Sequence, residues 1–336
     1  MFDTTTSSQS LVKTARFRLL HFFKESFALH PLLTLVGIAN VLVLLAALVG
    51  IIVDHRIITG MPAWVKPAKF AISISIYSFT LLWLLSFIKG HRRLVSLVAN
   101  ATAVIMVVEM VIIVGQVIRG TTSHFNNSTP LDRMLFLIMA GFISLAFVMG
   151  IVAAILLLLQ RQPDRAFAWS LRLGMVITLV GMAVAFLMTT GPTPAQLKVL
   201  RDGGHPSAIG AHSVGVPDGG PGLPFVGWST EGGDLRIPHF VGLHALQVLP
   251  LFWWLFLRRS RLLRDGHRVA LVWTISVGYL GVVGLLTWQA LRAQPLIAPD
   301  AYTLNAFVIL ISAVVLAVVV IVLHAHTKRK TLIESL

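Results

Sequence analysis

Long apolar stretches alternate with short polar segments along the whole chain. Because a hydrocarbon core about 30 Å thick needs roughly 20 apolar residues in a helix, each stretch of that length predicts a transmembrane helix. Eight qualify, here called spans one to eight, at about 31–53, 68–88, 94–118, 134–160, 167–190, 237–257, 269–291 and 303–325. The predicted fold class is an all-α integral membrane protein with eight transmembrane helices.

Composition supports this interpretation. Hydrophobic residues make up 56% of the chain and charged residues only 12%, whereas soluble domains carry about 25% charged residues. The net charge of +14 would suggest nucleic acid as the partner of a soluble protein. Here the basic residues stand at the ends of apolar runs, so we expect the lipid bilayer as the surroundings and no nucleic-acid partner.

The distribution of Lys and Arg predicts the orientation. An even number of spans places both termini on one side, and the segments on that side carry most of the Lys and Arg residues. By the positive-inside rule, both termini are cytoplasmic in a multi-pass protein of the bacterial plasma (inner) membrane. Residues 10–29 mix Lys and Arg with Phe and Leu, which predicts a basic amphipathic helix on the inner leaflet.

Short matching runs predict an internal repeat. Span two is entered by KPAKF and followed by GHRRLV, while span six is entered by RIPHF and followed by GHRVALV. Span three ends in QVIRG and span seven in QALRA. Matches in the same order favour a 4+4 duplication with both halves in one orientation.

The repeat and the loop lengths define the expected domain organisation. The first four-helix unit covers 31–160, and the second covers 161–325 with a long outer loop at 191–236. Cytoplasmic segments precede and follow them at 1–30 and 326–336. The long loop holds eleven Gly and six Pro. A loop of this length inside a compact protein is functional or disordered, and we expect an ordered cap over the outer mouth.

One acidic residue, Glu109, lies well within a span. Thr102, Glu109 and Gln116 recur every seven residues and therefore share one face of span three. An ionisable group at this depth indicates function, although a buried protonated Glu can also be a structural hydrogen-bond donor. We assign catalytic roles to Glu109 and His244. The candidate substrate-binding residues are the polar side chains predicted on the outer side, Lys66, Lys69, Gln116, Arg119, Asn126, Arg236 and Gln247.

Histidines near the outer side are candidate metal ligands. His124, His212 and His239 are assigned to this role. His239 and His244 are five residues apart and diverge by about 140° on a regular helix, which argues against one ion bound by both. Pro250 predicts a kink further along span six. The absence of Cys excludes iron–sulfur clusters, c-type haem attachment and thiolate sites, so haem or a His-bound metal is left open and the cofactor is unknown.

Three runs carry a resemblance to a known family. SHFNNSTPLDR, GAHSVGVPDGGPGLPFVGWSTEGGDLRIPHFVGLHALQVLP and WVKPAKFAIS together resemble an uncharacterised family of bacterial multi-span membrane proteins. This resemblance implies no reaction. The eight-span layout is also similar in outline to haem A synthase, but that family's paired transmembrane histidines are missing here, so its function is not carried over.

Three classes of function stay open from the sequence. The first is a membrane-embedded enzyme or redox protein with an outward-facing site for a lipid-soluble or anionic ligand. The second is a proton-coupled transporter, which would need a polar path through the inner halves of the spans. The third is a membrane assembly or interaction protein whose outer loops bind a partner.

Overall fold

In the computed structural model, which describes residues 23–260 and 262–334, helices dominate. In chain order they are α1 Pro31–Val53, α2 Val65–Leu85, α3 Arg92–Ile118, α4 Pro130–Leu159, α5 Arg165–Leu187, α6 Pro194–Arg201, α7 Arg236–Leu243, α8 Ala245–Phe252, α9 Asp265–Leu291 and α10 Ala301–Glu334. A π-helical turn, Trp253–Leu257, follows α8. Two short antiparallel pairs are the strands, β1 Ile57–Ile58 with β2 Met61–Pro62 and β3 Ser213–Val214 with β4 Gly233–Asp234.

The long helices coincide with the predicted spans. Among the described residues, α1 to α5, α9 and α10 are seven helices long and apolar enough to cross a membrane. Residues 236–257 form an eighth when both parts of the bent pair are counted as one span. The predicted all-α, multi-pass membrane architecture is therefore confirmed at this level. Of the predicted amphipathic segment, residues 10–22 lie outside the described residues, and 23–29 are helical.

Span six is broken into two helices ahead of Pro250. The chain bends by 43° at His244, between α7 and α8, whereas Pro250 lies inside α8. The kink at Pro250 stays a prediction. A hydrogen bond from another span supports the backbone at the bend. Thr178 Oγ1 donates to the Leu243 carbonyl at 3.3 Å. The Gln247 amide, with its oxygen turned to Thr80, also reaches the carbonyls at the bend.

An apolar core joins the helices. α1 packs on α2 and α3, α3 packs on α4, and α5 packs on α7, α8 and α9. The largest cluster of buried side chains spans α1 to α5 and α8, and includes Leu33, Leu81, Leu84, Val98, Leu157, Leu171 and Leu246. Many Leu, Ile and Val side chains on the outer faces are exposed, as expected for helices that contact lipid.

The long loop is ordered by contacts with its neighbours at one end of the bundle, here called the loop-rich end. Asn127 N donates to Ser207 O at 2.8 Å, and Ile209 N donates to Phe125 O at 2.9 Å. On its other side the loop meets the β1–β2 turn, where a Cβ at Gly60 would lie 2.2 Å from the Gly219 carbonyl oxygen. The loop thus connects the turns after α1 and α3.

Candidate functional site

Lys66 lies in the first turn of α2, partly buried at the loop-rich end. The charges of four groups act on it, namely Lys69 on the same helix and Arg236, Asp218 and Glu109 from other segments. Lys66 in turn acts on two histidines of the loops. We call this group the Lys66 site, which consists of Lys66, Lys69, Glu109, His124, His212, Asp218 and Arg236. Within the described part of the chain, no hydrogen bond or ion pair engages the Lys66 ammonium.

The other two cations of the site are already engaged. Lys69 Nζ donates to Val226 O at 2.9 Å. The Arg236 guanidinium donates to both carboxylate oxygens of buried Asp234 and to Gly227 O at 2.6 Å. Both cations therefore hold the long loop in place. Lys66 is left as the cation whose donors are available to a ligand.

His212 and Asp218 form a hydrogen-bonded pair beside Lys66. His212 Nδ1 donates to Asp218 Oδ2 at 2.7 Å, and the same carboxylate accepts the backbone N–H groups of His212 and Ser213. Burial lowers the pKa of His212, and the Asp218 charge opposes this shift. Burial opposes the ionisation of Asp218, but hydrogen bonds from His212 hold the pKa of its carboxyl below the usual value. In this tautomer Nε2 of the neutral imidazole is an acceptor.

His124 stacks on His212. Their ring centroids are 6.2 Å apart, and Phe70 and Phe125 pack against the pair. Burial, and then the charges of Lys66 and His212, hold the pKa of His124 well below its usual value. Both histidines are therefore neutral at pH 7 and can accept a proton from a bound acid.

Glu109 is the residue of the site that lies within α3, between two and three turns before the helix ends at Ile118. It is only 4% exposed, and in the described structure its Oε1 has no hydrogen-bond partner. Thr102 and Gln116 are buried as well, so the three share the inner face of α3, as their spacing indicates. Met106, about one turn earlier, and Met110, the next residue, belong to the apolar core. The polar groups of the site thus adjoin a closely packed apolar interior.

Three of the predicted substrate-binding residues form hydrogen bonds within the turn between α3 and α4. Arg119 Nη1 donates to Gln116 Oε1 and to Asp132 Oδ1, at 2.5 and 2.6 Å. Asn126 donates to Thr121 and Thr122 O within its own loop. We therefore attribute a structural role to Gln116, Arg119 and Asn126.

The span-six residues are also engaged locally. His239 Nδ1 donates to Gly181 O at 2.8 Å and fixes α7 on α5. The His244 ring packs edge-on against Phe240 at 4.3 Å, beside the bend. The Gln247 amide contacts Thr80 on α2 at 3.2 Å. The structure therefore places Glu109, but not His244, among the charged groups around Lys66.

The predicted histidine ligands are not arranged around a common point. In the described chain, no three His, Asp or Glu side chains are placed so that they could hold a metal ion. His124, His212 and His239 come from three different segments, and the Nδ1 atoms of the last two are bound to Asp218 and Gly181 O. The functional proposal therefore includes no metal ion.

Asp218 and Asp234 are absent from the residues that the sequence assigns to the site, although each lies a few residues from its basic partner in a Gly-rich segment. That signal is weak, because short polar loops contain many such pairs. Comparison of the chain with family models, with curated proteins and with solved structures finds no match. The geometry and charges of the Lys66 site are therefore the basis of the functional proposal.

Proposed function

We propose that the chain is a multi-pass protein of the bacterial plasma membrane, related to the uncharacterised bacterial family that its outer runs resemble. Both termini then lie in the cytoplasm, and the loop-rich end faces outward. The support is the excess of Lys and Arg in the segments on the side of the termini. The Lys66 site accordingly lies at the outer leaflet.

We also infer a duplication, with α1 to α4 as one unit and α5 to α10 as the other. Two similar turns between helices, here called corners, support it. Arg119 pairs with Asp132 after the third helix of the first unit, and Arg292 pairs with Asp300 after the third long helix of the second. In both, the backbone N–H five residues after a glutamine donates to that glutamine's carbonyl.

We propose that the protein is a membrane-embedded enzyme or redox protein that binds an anionic, lipid-soluble substrate at the Lys66 site. The observation that carries this proposal is the unpaired ammonium of Lys66 beside two engaged cations, Lys69 and Arg236. An ion held without a partner in a partly buried position costs free energy. An anionic ligand offsets that cost by supplying the missing charge and hydrogen bonds.

The neighbouring groups suit proton transfer to or from the bound substrate. His212 presents Nε2 as an acceptor because Asp218 fixes its Nδ1–H. A negative ligand favours the charged imidazolium, and Asp218 stabilises that cation. Glu109 on α3 supplies a second carboxyl, and its Oε1 has no hydrogen-bond partner in the described structure. The proton therefore passes between the substrate's acidic group and His212, with Glu109 as an additional acceptor.

A transport function is less well supported than an enzymatic or redox reaction at the loop-rich end. A transport path would continue inward from Glu109 along α3, where Met106 and Val98 belong to the apolar core. An ion or a proton needs polar side chains along its path. The packing favours a site entered and left from the outer side.

The test is thermal melting of the detergent-purified protein with short-chain lipids. Dioctanoyl phosphatidylglycerol carries an anionic head group, and dioctanoyl phosphatidylcholine serves as the zwitterionic control. We expect the anionic lipid alone to raise the melting temperature of the wild type and of Lys198→Met, which removes an exposed lysine, but not of Lys66→Met. Equal effects of both lipids on all three proteins, or stabilisation only by decylubiquinone, would overturn the anion assignment.

A further inference from the structure

The tip of the long loop presents an apolar side chain away from the protein. Phe225 is 89% exposed, and its φ of 62° lies in the left-handed region, which non-glycine residues rarely adopt. The turn around it is nevertheless well held. Leu223 N donates to Trp228 O and Gly227 N donates to Leu223 O, both at 2.8 Å. The turn therefore holds the ring in an outward position.

The neighbours of this turn place it at the edge of the lipid. The Trp228 ring packs edge-on against Phe240 at 5.7 Å. Phe240 lies on α7, the first part of a membrane span, and is 43% exposed there. Its exposed face meets lipid, and a tryptophan beside it matches the preference of Trp for the membrane interface. Phe225 precedes Trp228 by three residues, so it lies within about 10 Å of that residue at roughly 3.3 Å per residue.

Basic side chains lie directly beneath the turn. Lys69 donates to Val226 O, and Arg236, which is paired with Asp234, donates to Gly227 O. Basic groups near the headgroup layer attract anionic lipids. An aromatic side chain beside basic residues is the pattern by which peripheral segments bind a bilayer surface.

We propose that the turn at residues 223–228 docks into the headgroup layer of the outer leaflet, with Phe225 as its anchor. The docking surface is thus a lipid surface, and it does not depend on which ligand occupies the Lys66 site. Insertion of the ring removes exposed apolar area from water, which offsets the backbone strain of its left-handed conformation.

The absence of Cys from the chain allows a direct test. Phe225→Cys is labelled with a bimane fluorophore and reconstituted into lipid nanodiscs. Quenching is then measured with a headgroup nitroxide lipid, with an acyl-chain nitroxide lipid and with aqueous iodide. Val111→Cys, at a 65% exposed position on α3, serves as the lipid reference. Glu231→Cys, at an exposed position of the same loop, serves as the water reference.

We expect the label at 225 to be quenched by the headgroup nitroxide and several-fold less by iodide than the label at 231. Pro224→Cys supplies a second position in the same turn, so that a fault specific to one variant does not decide the result. Iodide quenching at both 224 and 225 equal to that at 231 would overturn the proposal. Strong quenching at 225 only by the acyl-chain nitroxide would also contradict headgroup docking.

Discussion

His212 Nδ1 lies 2.7 Å from Asp218 Oδ2, and the Asp218 carboxylate also holds the backbone of the turn that presents the imidazole. One acidic side chain therefore sets both the tautomer and the position of His212. This relationship connects the long loop to Lys66, because the charge of Asp218 acts on Lys66 and the charge of Lys66 acts on His212. Stability and ligand binding at this end of the molecule should accordingly respond to the same protonation events.

Acidification should destabilise the protein through His124 and His212. The pKa of each is lowered in the folded state, so the unfolded chain binds more protons below its own pKa of about 6.5. The stabilisation is present above that pH and is lost as pH falls towards the folded pKa. Each histidine contributes a slope of up to about 1.4 kcal/mol per pH unit.

Melting temperatures between pH 7.5 and 5.5 test this expectation. His124→Gln should flatten the pH dependence, whereas His55→Gln, which changes an exposed loop histidine, should leave it unchanged. Equal pH slopes for wild type and His124→Gln would show that His124 does not contribute.

Close backbone packing between α5 and α7 should be sensitive to a single methyl group. A Cβ at Gly181 would lie 2.6 Å from the Gly242 carbonyl carbon, and Gly181 O also accepts from His239. Gly181→Ala should therefore cost roughly 1–3 kcal/mol of unfolding free energy by overpacking. Gly141→Ala is the matched control, because an added Cβ there meets nothing within 4 Å. Chemical unfolding measures both, and equal stability of the two variants would refute the contact.

The two Arg–Asp corners should differ in how much they stabilise the fold. Asp132 is buried, with its side chain only 4% exposed, whereas the Asp300 side chain is 33% exposed. Removing the partner of a buried carboxylate costs more than removing that of a solvated one. Arg119→Met should therefore lower the melting temperature more than Arg292→Met. The reverse order would contradict this account of the corners.

Lys69 should hold the tip of the long loop closed. Its Nζ donates to Val226 O, and a hydrogen bond from a charged donor contributes roughly 1.5–3 kcal/mol. Lys69→Met should therefore speed amide hydrogen exchange at residues 223–228 by at least about tenfold. Lys198→Met, on exposed α6, is the control. Unchanged exchange at 223–228 in Lys69→Met would show that backbone contacts alone close the turn.

The membrane spans could be predicted from the sequence because apolar length decides them. Seven of the eight predicted stretches coincide with long helices, and the eighth coincides with the bent pair α7 and α8. The bend in span six could not be predicted in place. It depends on Thr178 and Gln247, which reach the carbonyls at the bend from α5 and from α8. The Thr178 contact arises only when separate spans pack together.

The sequence alone suggests which charged residues share one end of the molecule. It assigns Lys66, Lys69, Arg236 and Glu109 to one site, and in the structure the charges of the other three act on Lys66. Asp218 was missed, because its role depends on the turn that brings it back to His212. Conversely, Gln116 looked available on its helix face, but Arg119 and Asp132 engage it across the corner. Residue type and spacing indicate the location of a site, whereas loop closure decides which side chains remain free.

Isothermal titration calorimetry with dioctanoyl phosphatidylglycerol tests the central claim most directly. Titration in two buffers of different ionisation enthalpy gives both the affinity and the protons taken up. We expect the wild type to bind with uptake of up to about one proton, because the anion favours the charged form of His212. Lys66→Met should weaken binding at least about tenfold, and His212→Gln should reduce the uptake. Equal affinity of wild type and Lys66→Met would contradict the account.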